Sequence, residues 1–235
     1  MTHTRTPVVA WSMRQLLGNI TSRYRHGRVA TVKRGQRVSR HPQYGPFVVY
    51  DALTESLRLL QGAPPSNEAR LSRRVRHVPL AVDRDEDVAA TMFLRRGVSG
   101  IPELDVHTLE WTDVGWRVPG GGSGLGEQAL DQRARLTDLE APGKSQGGGG
   151  TARTSSRHLG WSRDKWVRWG ELRLAQEVAV LRVGDRLLPV AAHGMAVVVW
   201  TKQAPAVTAV DRQGNVLGAV PWGGRQSMPA LYRDS

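Results

Sequence analysis

The sequence contains no cysteine. Disulfides, thiol nucleophiles, Cys-ligated zinc and iron–sulfur clusters are therefore excluded together. Phenylalanine and tyrosine are scarce, at two and four among 235 residues, although tryptophan reaches eight. Lysine is nearly absent as well: 4 of the 33 cationic residues are Lys and 29 are Arg. No apolar run approaches the roughly 18 residues needed to span a bilayer. The stretch Val8-Val9-Ala10-Trp11 is shorter than the apolar core of about 7–15 residues in a signal peptide. A cytoplasmic location is the expectation from that, with an extracytoplasmic one left open. What is present suffices for a packed core, since 40% of residues are apolar and wholesale disorder needs far fewer. The length allows one large domain or two small ones.

The net charge of +12 is unevenly spread. Residues 1–77 carry 14 basic and 3 acidic side chains, residues 78–143 carry 6 and 12, and residues 144–235 carry 13 and 6. The excess of Arg alongside Ala, Gly and Val fits a GC-rich coding bias, which explains the total but not its concentration in the first third.

Residues 1–46 form a basic head with weak helical patterning and no forced core. Leu53, Leu57 and Leu60 then fall at helical spacing over 50–61, with Asp51 as N-cap and Gly62, Pro64 and Pro65 as the stop. A basic connector follows, with Arg70, Arg73, Arg74 and Arg76. From Val75 the period becomes that of strands. Runs at 78–82 and 88–94 flank an acidic turn, Asp83 to Asp87, expected to be solvated. Leu104, Val106 and Leu109 lead to Trp111, and Gly115-Trp116-Arg117-Val118 closes a second hairpin. Gly120–Gly124 and Gly147–Gly150 bracket a short helical segment, and tracts of that composition behave as spacers. Short strands are expected at 171–174, 178–183, 187–190, 195–200, 206–210 and 216–220, with turn residues between them.

The expected class is therefore α+β and β-rich. The layout is a head at 1–46, a helix-plus-antiparallel-meander domain at 47–119, a Gly-rich linker at 120–156, a β-sandwich at 157–222 and a loose tail at 223–235. One helix followed by a meander ending on Gly115-Trp116-Arg117-Val118 resembles the cystatin-like cone of nuclear-transport-factor-like domains. The ending Val207-Thr208-Ala209-Val210-Asp211-Arg212-Gln213-Gly214-Asn215-Val216-Leu217 is similar to the last hairpin of bacterial immunoglobulin-like modules. Many members of the first group are non-catalytic, and fold alone carries no function.

Several motifs fail on spacing. Gly143-Lys144-Ser145 lacks the upstream glycine of a phosphate-binding loop, because Asp138 stands there. Asp83, Asp85 and Asp87 open like a calcium loop, but its sixth and twelfth positions are Val88 and Leu94. Ser162-Arg163-Asp164-Lys165 has neither companion motif of the penicillin-recognising enzymes. The seven histidines show no ligand spacing, and His107 reads as a solvent-face strand residue. No catalytic, cofactor-binding or metal-ligating residue is assigned.

Two clusters remain. Arg23, Arg25, Arg28, Lys33, Arg34, Arg37 and Arg40, interleaved with Tyr24, fit phosphate neutralisation with base stacking. Trp161, Trp166 and Trp169 with Arg163, Lys165 and Arg168 fit partner contact, against the alternative of a small β core plugged by Trp. The leading expectation is a non-catalytic binding or scaffolding protein with an unidentified protein partner. The alternatives are nucleic acid or another polyanion held by the head, and an enzyme or small-ligand binder with a pocket near Met92, Leu94 and Trp111.

Overall fold

The Asp51 carboxylate accepts from the backbone N–H groups of Leu53 (3.0 Å) and Thr54 (3.2 Å), which fixes the start of helix α1, Ala52–Leu60. The structure is a computed structural model and describes residues 50–153 and 166–222. After α1 come β1 (His77–Asp85), β2 (Val88–Arg96), β3 (Pro102–Thr112) and β4 (Gly115–Leu125), an antiparallel meander. A short helix α2 (Glu127–Leu130) and a 3-10 turn (Leu136–Asp138) lead to β5 (Gly143–Ala152) and β6 (Trp166–Leu174). The remaining strands are β7 (Val180–Val183), β8 (Arg186–Pro189), β9 (Met195–Trp200), β10 (Val207–Val210) and β11 (Val216–Ala219).

These strands form three sheets, ordered β1-β2-β3-β4, β5-β6-β9 and β11-β10-β7-β8. The middle sheet is apolar on both faces. Val167, Trp169, Met195, Val197 and Val199 pack with Val78, Leu80, Met92, Leu94, Leu104 and Val106 of the first sheet. Leu172, Leu174, Ala196, Val198 and Trp200 pack with Leu181, Val183, Leu188, Val207 and Ala209 of the third. All six residues of β9 are buried for this reason, and an unbroken Met-Ala-Val-Val-Val-Trp run is what a strand covered on both sides requires. Helix α1 lies on the other face of the first sheet, where Ser56 Oγ and Thr91 Oγ1 share a buried hydrogen bond of 2.7 Å.

The glycine tracts are strands, which corrects their reading as spacers within 120–156. β4 pairs with β3, and β5 pairs with β6. The indole of Trp169 explains the composition. A Cβ on Gly122 would stand 2.6 Å from Trp169 Cζ2, and one on Gly149 would stand 2.9 Å from the same atom. Glycine on both edge strands is the space the ring occupies, and the apolar layer it belongs to runs across the expected linker.

A second correction concerns the acidic turn. A bulge between Pro79 and Ala81 shifts the register of β1, so Asp83 points inward. It is 2% exposed and not solvated. Its carboxylate accepts from Arg186 Nη1 (2.9 and 3.0 Å) and from the Val199 N–H (2.8 Å), joining strands of all three sheets.

The connection after β4 is also pinned by buried polar groups. Arg133 donates to the carbonyl oxygens of Leu174 (3.1 Å), Val178 (2.9 Å) and Ala175, and burial lowers its pKa to about 10. His193 accepts from the Met195 N–H at Nδ1 (3.0 Å) and donates from Nε2 to the Ser66 carbonyl (3.2 Å), so it is buried neutral. Burial pushes its pKa down from 6.5 to about 4. Such a depressed histidine contributes stability that is full above pH 6.5 and lost as pH falls toward 4. We expect His193→Leu to flatten that acid loss, of about 3 kcal/mol, in denaturation curves taken across the same window. An unchanged slope would mean that His193 ionises freely in the fold.

Candidate functional site

The head residues Arg23, Tyr24, Arg25, Arg28, Lys33, Arg34, Arg37 and Arg40 lie outside the described residues, as do Trp161, Arg163 and Lys165. The remaining members of the tryptophan cluster take structural places. Trp169 is 5% exposed, in the core between the first two sheets. Arg168 donates to the carbonyl oxygens of Thr201 (3.1 Å) and Lys202 (2.9 Å), and Trp166 is half-buried at the start of β6. Met92, Leu94 and Trp111 lie in different environments. The first two are fully buried against the middle sheet, and Trp111 pairs edge-on with Trp116 at the β3–β4 tip.

Two groupings near the start of β1 were not singled out as sites. The first surrounds Tyr50. Its ring lies 5.0 Å from that of His77, 5.6 Å from Phe93 and 5.8 Å from His107. Its hydroxyl is 2.6 Å from His107 Nε2. Burial raises the phenol's pKa and lowers that of the imidazole. His107 is thus half-buried under Tyr50, which corrects its reading as a solvent-face residue. Beside it, Arg95 donates to Asp105 (2.5 Å) and Glu103 (2.7 Å), and the Asp105 bond raises its pKa. These groups satisfy one another. They anchor the chain as it enters α1 and leave no acid or base directed at an open site.

The second grouping is basic and open. Residues 66–76 form an ordered loop: the Ser66 N–H donates to the Pro79 carbonyl (2.8 Å), and Ser72 Oγ accepts from the Arg74 and Val75 N–H groups (3.2 and 2.9 Å). Ala69 and Leu71 seat the loop on the core. Arg70, Arg73, Arg74 and Arg76 are all exposed on it. Arg96 ends β2 beside them, its N–H donating to the Arg76 carbonyl (2.8 Å). None of these five guanidinium groups forms an ion pair among the described residues, whereas Arg95 is closed off by two carboxylates. Arg70 and Arg96 flank a depression of about 290 Å3, lined also by Ala69, Leu71, Gly100, Pro102 and Leu130.

The basic connector was visible in the sequence as a charge run. Arg96 was not, because only strand pairing brings it alongside Arg76. The ring of Tyr50, the first described residue, lies 5.0 Å from that of His77, the residue after Arg76. Among the described residues no group of three or more His, Asp or Glu side chains is placed to hold a metal ion, and no helix is long and apolar enough to cross a membrane. Comparison with protein-family models, with curated proteins and with solved structures finds no match.

Proposed function

We propose that the chain is a non-catalytic binding protein whose ligand is a polyanion, held by Arg70, Arg73, Arg74, Arg76 and Arg96. The observation that carries this reading is the set of four exposed guanidinium groups, Arg70, Arg73, Arg74 and Arg76, on a loop that its own hydrogen bonds hold in place, with the half-buried Arg96 beside them at the end of β2 and no ion pair to any of the five among the described residues. Exposed charges with no internal partner contribute little to stability, and they raise the potential of one end of the molecule. The sequence adds positive charge on the N-terminal side of Tyr50. Residues 1–49 contain nine basic and no acidic side chains. The proposal rests on this charge placement and on neither fold-family resemblance.

A protein partner is the second reading. It is favoured by the β3–β4 tip, where Trp111 and Val114 are 39% and 67% exposed and Arg84 stacks on Trp116 at 5.1 Å.

The test uses the full chain. Binding to labelled single-stranded DNA, duplex DNA and heparin is followed by anisotropy across a salt series. For the variant with Arg70, Arg73, Arg74 and Arg76 all changed to Gln, affinity is expected to fall about 100-fold, and the log–log salt slope to drop by about 3. Thermal unfolding should be unchanged, because these side chains make no ion pair among the described residues. A variant that binds as the native chain does, with the same slope, would remove the loop from the proposal.

A further inference from the structure

We infer that the depression between Arg70 and Arg96 is a subsite for one nucleotide unit of a single-stranded nucleic acid. This rests on the polyanion reading and narrows it. The two guanidinium groups supply charge, but the rest of the lining is apolar: Ala69, Leu71, Pro102 and Leu130. A site that met only sulfates or phosphates would gain nothing from such a floor. A nucleobase or its sugar would bury against it.

The Arg96 guanidinium lies close over Gly100, with Nη2 3.5 Å from where a Cβ would stand. Its planar group lies at the rim of the depression, and such planes stack on unpaired bases as well as pairing with phosphates. The volume, about 290 Å3, is at the small end of ligand clefts and suits one unit of a chain. Duplex DNA keeps its bases stacked inside and would present only phosphates here, whereas a single strand can splay one base outward. Leu130 is 46% exposed on α2 and Leu71 is half-buried against the core, so the floor has one replaceable edge and one fixed one.

The test compares a labelled oligothymidylate, a duplex of matched length and heparin on the full chain. The single strand is expected to bind at least about tenfold more tightly than the duplex. Leu130→Asn should weaken the single strand about fivefold and leave duplex and heparin unchanged. Arg70→Gln with Arg96→Gln should weaken the single strand more than about tenfold and reduce its salt slope by about 1.4. This second variant decides the matter if Leu130→Asn unfolds the chain. Equal binding of single strand and duplex, or a Leu130→Asn effect common to all three ligands or absent from all, overturns the subsite and leaves the polyanion reading intact. No binding of any ligand by the native chain removes both.

Discussion

Trp169→Ala is expected to lower stability by about 3–5 kcal/mol, the range for truncating a large buried aromatic. The side chain is 5% exposed and fills the space between the first and middle sheets on the side where both edge strands are glycine. Neither β4 nor β5 offers a side chain to refill it. The converse substitution should be nearly as damaging. Gly122→Val places a Cβ 2.6 Å from Trp169 Cζ2, and overpacking of that kind costs about 1–3 kcal/mol or more. Gly124, on the same strand, has nothing within 4 Å of its added Cβ, so Gly124→Ala should stay within about 0.5 kcal/mol of the native chain. The two sites should also couple. Gly122→Ala is expected to be costly in the native background and nearly neutral in Trp169→Ala, because the obstructing ring has gone. Urea midpoints of the four variants and the double variant measure all of this. Equal tolerance of Val at Gly122 and Ala at Gly124 would mean that the tract is the spacer its composition suggests.

That composition marks the limit of what the sequence disclosed. Helix α1 was legible because Asp51 and Gly62 punctuate it, and the strands of the third sheet because turn residues separate β-branched runs. The double-sided burial of β9 is likewise written in six consecutive apolar residues. Gly120–Gly124 and Gly147–Gly150 carry no periodicity, because glycine has no side chain to alternate, so only the ring packed against them shows that they are strands. Asp83 was misplaced for a different reason. A one-residue bulge inverts the inside–outside alternation after Pro79, and nothing in Val78-Pro79-Leu80-Ala81-Val82 announces it. The candidate site was half legible. Arg70 to Arg76 stand out as charge, but the contrast between a neutralised Arg95 and an Arg96 with no ion pair among the described residues depends on which face each side chain takes at the end of β2. Adjacent arginines look alike in sequence, and the pleat sends them to opposite sides.

Arg186→Met should cost about 3–5 kcal/mol at pH 7.5, because it strands a fully buried carboxylate. Even with Arg186 in place, desolvation raises the pKa of Asp83 from 3.8 to about 6, and Arg186 and the Val199 N–H only partly oppose it. The fold therefore prefers the protonated acid. The contribution of Asp83 to stability is greatest below pH 4 and is lost as pH rises through about 6. Without Arg186 the pKa climbs further, so the cost of Arg186→Met should be clearly smaller at pH 5 than at pH 7.5. Adding Asp83→Asn to Arg186→Met should recover most of the loss, since the amide oxygen still accepts from Val199. Asp83→Leu should recover less, because that buried N–H then loses its partner at a cost of about 1–3 kcal/mol. His193 acts in the opposite sense over an overlapping window, losing stability as pH falls from 6.5 to 4. The two terms offset each other in the native chain between pH 4 and 6. Asp83→Asn should expose the acid loss due to His193, and His193→Leu should expose a rise in stability toward acid due to Asp83. An Arg186→Met penalty that is the same at both pH values would show that Asp83 does not bear the buried charge.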